Sequence, residues 1–206
     1  MNETEYSPPV EVRTLIKAEE IPTSLVEIPQ WVLWRYEPRK DGGKPHKTPY
    51  TPHGAHADVT NAKTWCSFSN AFEAYKQYQR YNGIGFVLTK DTPIVGIDID
   101  NCIEQGEYTK QAQEVIDLLQ SYTEISPSKK GLRIFVEADL GDFAGRRRGD
   151  LELYSFGRYL TITGDRITES SKSIEPRLEE LREMYKRFLA DRKPQTAHIR
   201  SDRQPQ

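Results

Sequence analysis

Two aspartates stand one residue apart in an otherwise apolar run, Ile94-Val95-Gly96-Ile97-Asp98-Ile99-Asp100. In an extended strand alternate side chains share a face, so the spacing predicts Asp98 and Asp100 on one side and Ile97 and Ile99 in the core. Gly96 belongs to the acid face and leaves room there for a ligand to approach the backbone. Adjacent carboxylates repel, and this segment holds no base to offset them. One divalent cation or a pair is the economical counter-charge. A solvated strand end would give the same Asp-x-Asp pattern, so the pair alone leaves both readings open.

Other alternating runs place polar groups on one face as well. In Leu151-Glu152-Leu153-Tyr154 the leucines turn inward and Glu152 turns outward, a natural third carboxylate for a two-metal site. Arg133 leaves the apolar set of Leu132–Val136 in the same way. The turn before it, Ser126-Pro127-Ser128-Lys129-Lys130-Gly131, offers hydroxyls, ammoniums and backbone N–H groups that can cradle phosphates, without the Walker spacing. Three acids beside several cations suit metal-assisted phosphoryl or nucleotidyl transfer. Lys129, Lys130, Arg133, Arg146, Arg147 and Arg148 form a local basic strip that fits either a phosphate-bearing ligand or a solvated surface loop. Lys130, Arg146, Arg147 and Arg148 are the candidates for nucleic-acid contact.

These groups need a mixed α/β scaffold to position them. Strands are expected at Trp31–Tyr36, Lys47–Thr51, Gly83–Leu88, Ile94–Asp100, Tyr122–Ser126, Leu132–Glu137, Leu151–Tyr154 and Tyr159–Thr163. A turn at Asp41-Gly42-Gly43 joins the first two. Helices are expected from Ser67 or Ser69 to about Tyr81, over Thr109–Gln120, and over Ile174–Ala190. Residues 1–20 read as a disordered acidic tail, 21–193 as the folded domain, and 194–206 as a polar linker or tail.

With 206 residues, 36% hydrophobic, the chain is long enough for one domain with a substantial core. A formal net charge of −2 argues against a generic basic nucleic-acid binder. The two cysteines, Cys66 and Cys102, are too few for a disulfide framework or a four-cysteine zinc site. No apolar run is long enough to span a bilayer, and the acidic start is unlike a secretory signal, so no membrane partner and a cytoplasmic location are expected. His53, His56 and Cys66 lack a fourth zinc ligand, and Gly-x-Ser-x-Gly does not occur.

Taken together, QWVLWRYEPR (30–39), KTPYTPHG (47–54), VTNAKTW (59–65), GIGFVLT (83–89), VGIDIDNC (95–102), SYTEISPS (121–128), GDLELY (149–154) and GRYLTITG (157–164) resemble the primase–polymerase domain. That domain begins phage and plasmid replication proteins, within the archaeo-eukaryotic primase superfamily. The resemblance spans about two-thirds of the chain. It implies an N-terminal α/β module packed on an RRM-like catalytic module, with two catalytic Mg²⁺ or Mn²⁺ ions held at positions matching Asp98, Asp100 and Glu152. It assigns the incoming NTP or dNTP to Ser126, Ser128, Lys129 and Arg133, and to Arg158 and Tyr159 of the Gly-Arg-Tyr motif. Its further partners are a single-stranded DNA template and a replicative helicase, in the same chain or another.

The chain departs from the family where Arg133 replaces the motif histidine. An arginine can grip a triphosphate but cannot exchange a proton near neutral pH. Three intact acids favour a template-dependent primase or polymerase. Arg133 favours the alternative, a catalytically impaired DNA-binding or replisome-recruiting module. A metal-dependent glycosyltransferase would also use Asp-x-Asp, but the chain lacks a recognisable nucleotide-sugar domain.

Overall fold

The computed structural model of the protein describes residues 13–40 and 45–191. The Asp41-Gly42-Gly43 turn, the start of the acidic tail and the segment 194–206 lie outside them. Strands and short helices alternate in a mixed α+β architecture with two principal sheets.

The first sheet has the order β11-β3-β1-β2, built from β1 (Trp31–Glu37), β2 (His46–Tyr50), β3 (Gly83–Leu88) and β11 (Arg158–Ile162), with every neighbour antiparallel. The apolar run Trp31–Trp34 is fully buried, as a strand covered on both faces requires. The short α1 (Thr23–Val26) places Leu25 in this core. The ten-residue α2 (Phe68–Gln77) packs through Ala71, Ala74 and Tyr75, and Ser67 caps it by accepting from the Asn70 N–H at 3.3 Å. It ends four residues before the expected Tyr81, because Tyr78 is already extended.

The second sheet runs β12-β8-β4-β10-β9, with β7 also on β8. Its members are β4 (Ile94–Ile99), β7 (Thr123–Ile125), β8 (Leu132–Glu137), β9 (Gly145–Arg148), β10 (Leu151–Tyr154) and β12 (Glu175–Pro176). A small hairpin of β5 (Ile103–Glu104) and β6 (Glu107–Tyr108) precedes α3 (Lys110–Leu119). One face of this sheet, with Ile97, Ile99, Ile134 and Leu153, packs on α3 and α4 (Leu178–Met184). Ala112, Val115, Ile116 and Leu119 recur at helical spacing and are all buried, the three larger ones contributing roughly 1.5–3 kcal/mol each.

Three expectations are corrected. Residues 13–20 are part of the fold: the Thr14 N–H donates to the Asn82 carbonyl at 2.8 Å, the Lys17 N–H to that of Thr163 at 2.9 Å, and Arg166 pairs with Glu20 at 3.0 Å. The final helix does not begin at Ile174. A following proline disfavours helical dihedrals at Glu175, and Glu175–Pro176 instead joins β8 in parallel, with α4 and a π turn over Tyr185–Leu189 after it. Gly145–Arg148 has no strand-forming side chains, yet it pairs with β10 as an edge strand, where charge is tolerated.

Candidate active site

A transverse row of five charged residues crosses the second sheet on the face away from the helices. Glu124, Arg133, Asp98, Glu152 and Arg147 are successive cross-strand partners on β7, β8, β4, β10 and β9. Directly opposed side chains sit with Cβ atoms about 5 Å apart, so each member feels its neighbours strongly. Signs alternate along the row except at its centre, where Asp98 faces Glu152.

Arg133 is only 4% exposed. Its Nη2 reaches Asp98 Oδ2 at 3.4 Å, while Nε, Nη1 and the second Asp98 oxygen, Oδ1, are buried with no hydrogen-bond partner. A buried guanidinium this sparsely bonded is costly unless an anion completes it. Burial pushes the phenols of Tyr36 and Tyr159 above their ordinary values, and the Arg133 charge acts in the opposite sense on both. Those two residues bring the first sheet to this side of Arg133, and Tyr159 is fixed there by donating its hydroxyl to the Lys47 carbonyl at 2.5 Å.

On the other side of Asp98, both Glu152 oxygens are engaged. Arg147 Nη1 lies 2.9 Å from Oε1, and the Tyr154 hydroxyl donates to Oε2 at 2.6 Å. Burial, reinforced by that bond, pushes the Tyr154 phenol up to about 12. The Arg158 guanidinium lies 4.9 Å from the Tyr154 ring centroid, so Arg158 sits beside the acid row without entering it.

β4 ends at Ile99, so Asp100 occupies the turn after the strand, and its N–H is fixed to the Asp150 carbonyl at 2.9 Å. Gly131 brings the Ser126–Gly131 turn against this point. A Cβ there would stand 2.6 Å from the Ile99 carbonyl, 3.2 Å from Ser126 Oγ and 3.4 Å from Asp100 Cα, so only glycine permits the approach. The Ser126 and Ser128 hydroxyls are 3.0 Å apart. Lys129 adopts a left-handed φ of 60° and extends to Asp165 at 2.7 Å, a carboxylate shared with Lys17. Burial would raise the Asp165 carboxyl, but the two ammoniums outweigh it and hold it below its usual range. Lys130 is exposed, and its carbonyl accepts from Cys102 and Ile103.

The three arginines divide. Arg147 alone joins the acid row. Arg146 and Arg148 stand opposite Leu153 and Leu151, project to the helix side, and bind Asp191 at 2.5 Å and the Ala190 carbonyl at 2.7 Å. Alternation along a strand makes that division unavoidable.

Among the described residues no three His, Cys, Asp or Glu side chains converge as a metal-binding group. The donor chemistry for a divalent cation is nonetheless present in Asp98, with its partnerless buried oxygen, and in Glu152 directly opposite. Asp100 lies one turn beyond them.

Glu124 received no role from sequence. It is fully buried and accepts from the Tyr122 hydroxyl at 2.8 Å and from the Thr163 and Gly164 N–H groups at 2.9 and 2.8 Å. Burial raises its carboxyl above the ordinary value, although every one of these donors, and Arg133, opposes the rise. The signal was available: Tyr122, Glu124 and Ser126 alternate on one face, as Asp98 and Gly96 do.

No protein-family model matches the chain. Its sequence is similar to that of a phage protein. The relative is the DNA primase-polymerase of Nitratiruptor phage NrS-1, 36% identical over 156 residues, which cover 71% of this chain and 21% of that protein. The chain thus spans about a fifth of the length of the relative it matches.

Proposed function

We propose that this domain is a template-dependent nucleotidyltransferase, a DNA primase or polymerase of the archaeo-eukaryotic primase type. In this reading the second sheet is the RRM-like catalytic module, and the first sheet with α2 is the N-terminal module. The observation that carries it is the pairing of unsatisfied opposites: the buried Arg133 guanidinium with two partnerless nitrogens, beside an Asp98 oxygen equally without a partner. An anionic ligand that brings its own divalent cation completes both at once, and a nucleoside triphosphate is such a ligand.

Asp98, Glu152 and Asp100 would hold Mg²⁺ or Mn²⁺, which supplies Lewis-acid polarisation of the reacting phosphate and hydroxyl oxygens. Arg133 grips the triphosphate from within the sheet, and the hydroxyls of Ser126 and Ser128 contact it from the adjoining turn. Tyr159 and Arg158 border the nucleotide from the first sheet. Arg147 releases Glu152 and neutralises charge at the outer edge, while Lys129 would contact the incoming nucleotide and Lys130 the phosphates of a bound strand. Because Arg133 is held at fixed charge among carboxylates, its contribution is binding and orientation, with no proton transferred. The relative's activity supports the reading, as does its phage origin. A helicase partner follows only from the family.

Incorporation of labelled nucleotide into primed and unprimed single-stranded templates, with Mg²⁺ and with Mn²⁺, tests it. Templated extension by the parent and none by Glu152→Gln is expected. Nucleotide binding without any incorporation under either metal would establish the impaired, DNA-binding module instead.

A further inference from the structure

Two segments singled out in the sequence, KTPYTPHG (47–54) and VTNAKTW (59–65), take little part in the acid row. They build a separate cleft of about 670 Å³ against α2, within the size range of ligand sites. Its aromatic surfaces are Trp65, Tyr78 and His53; its polar groups include Lys63, Asn70 and Glu73.

Hydrogen bonds and ring contacts hold the walls. The Trp65 indole N–H donates to the Asp58 carbonyl at 2.8 Å, and the Tyr81 hydroxyl donates to those of Thr51 and Pro52 at 3.0 and 3.3 Å. Gly54, at φ 93°, lies against the Arg80 guanidinium, which in turn covers Tyr78 at 4.5 Å and Tyr81 at 5.0 Å. Tyr78 is one of two large hydrophobic side chains among the described residues that remain exposed. Lys63 is exposed and forms no ion pair with a described residue. An exposed Tyr78 with an arginine already on its ring, a part-exposed Trp65, cations at the rim and amide and carboxylate groups on the helix side match what single-stranded bases need. Those needs are stacking, phosphate neutralisation and hydrogen bonding at base edges.

We infer that this cleft binds single-stranded nucleic acid, with bases stacked on Trp65 and Tyr78 and the backbone along Lys63 and Arg80. Glu73 on the helix side repels phosphate and so sets the strand's polarity of contact, bases inward and backbone outward. β2 links the cleft to the acid row: Lys47 anchors Tyr159 at one end, and Tyr50 leads into the cleft loop at the other. Lys47 and Tyr50 are three strand steps apart, about 10 Å, close enough for one bound strand to serve both places. In that respect the inference rests on the proposed nucleotidyl transfer.

Trp31 and Trp34 are fully buried, so among the three tryptophans Trp65 is the one that a ligand can quench. Titrating the metal-free protein with a thymidine 15-mer, without nucleotide, should quench its fluorescence. Trp65→Ala and Tyr78→Ala should each weaken binding of the fluorescein-labelled oligomer about 5- to 150-fold, since one stacked base contributes roughly 1–3 kcal/mol. Trp65→Phe should retain most of the affinity. Lys63→Ala should lower the salt slope by about 0.7. Wild-type affinity in folded Trp65→Ala and Tyr78→Ala variants overturns the inference, as does quenching by thymidine monophosphate with none by the oligomer. Oligomer binding that depends on Trp65 in a protein that never incorporates nucleotide would leave the cleft standing and remove the enzymatic reading.

Discussion

Asp98 and Glu152 face each other directly across β4 and β10, yet each leans on a different arginine, Asp98 on Arg133 at 3.4 Å and Glu152 on Arg147 at 2.9 Å. The two acids are therefore unequal in energy although they serve one site. Arg133 is enclosed and Arg147 is largely in water.

Neutralising the two acids should accordingly give unequal structural results. Glu152→Gln removes a like-charge pair that costs roughly 0.2–1 kcal/mol, gives up an ion pair whose arginine is largely in water, and keeps an amide oxygen for the Tyr154 hydroxyl. Its melting temperature should stay within about 2 °C of the parent. Asp98→Asn leaves the buried Arg133 with one counter-ion fewer and should cost about 1–3 kcal/mol, or several degrees at this chain length. Both should lose incorporation. Thermal unfolding of the metal-free proteins separates them, and equal destabilisation by the two substitutions would refute the asymmetry.

Arg147 competes for Glu152 with any cation bound there. Arg147→Ala should therefore tighten Mn²⁺ binding about 1.4- to five-fold, the span that a pair of roughly 0.2–1 kcal/mol with its arginine in water permits. Arg146→Ala and Arg148→Ala, whose side chains engage Asp191 and Ala190 on the opposite face, should leave it unchanged. Calorimetric titration of the nucleotide-free proteins reads this directly. Weaker Mn²⁺ binding in Arg147→Ala would mean that Arg147 supports the site and does not compete for it.

Much of this site is legible in sequence because strands alternate. The facing of Asp98, Glu152 and Arg133 follows from their apolar neighbours, and so do the buried leucines and isoleucines behind them. Asp100 and the arginine triplet were harder. A strand's last residue depends on where its partner stops, and β4 gives out at Ile99. The charged Arg146-Arg147-Arg148 run becomes a strand only because β10 offers it an edge. Register was out of reach altogether, and register aligns Glu124, Arg133, Asp98, Glu152 and Arg147. The helical pattern after Ile174 hid Pro176, which disfavours helical dihedrals at Glu175 and so moves the helix start beyond it.

Arg133 has no hydrogen-bond partner for Nε or Nη1, so a triphosphate offers it bonds that it lacks in the free protein. Arg133→Ala should weaken NTP binding about 10- to 100-fold, the equivalent of the roughly 1.5–3 kcal/mol carried by a charge-assisted hydrogen bond. Arg133→Lys should recover part of that loss, because the charge survives but the planar fork does not. Equilibrium binding of a fluorescent NTP at constant salt measures both. Parental affinity in Arg133→Ala would remove Arg133 from the nucleotide site.

Glu124 couples the two sheets to Arg133, and burial makes that coupling sensitive to pH. Its carboxyl titrates above its unfolded value, near 4.3, because enclosure disfavours the charge more than the Tyr122, Thr163 and Gly164 donors restore it. A carboxyl raised in the folded state stabilises the fold most when both states are protonated. That contribution is fully present below the unfolded value and falls as pH rises to the folded value. Glu124→Gln cannot ionise and should lack this slope, although its amide serves the two backbone N–H donors less well and lowers stability throughout. The stability difference between parent and Glu124→Gln, measured by urea unfolding from pH 4 upward, should therefore shift against the parent as pH rises, then level off. A difference that instead grows in the parent's favour with pH would show that the donors and Arg133 dominate and that Glu124 is held as a carboxylate.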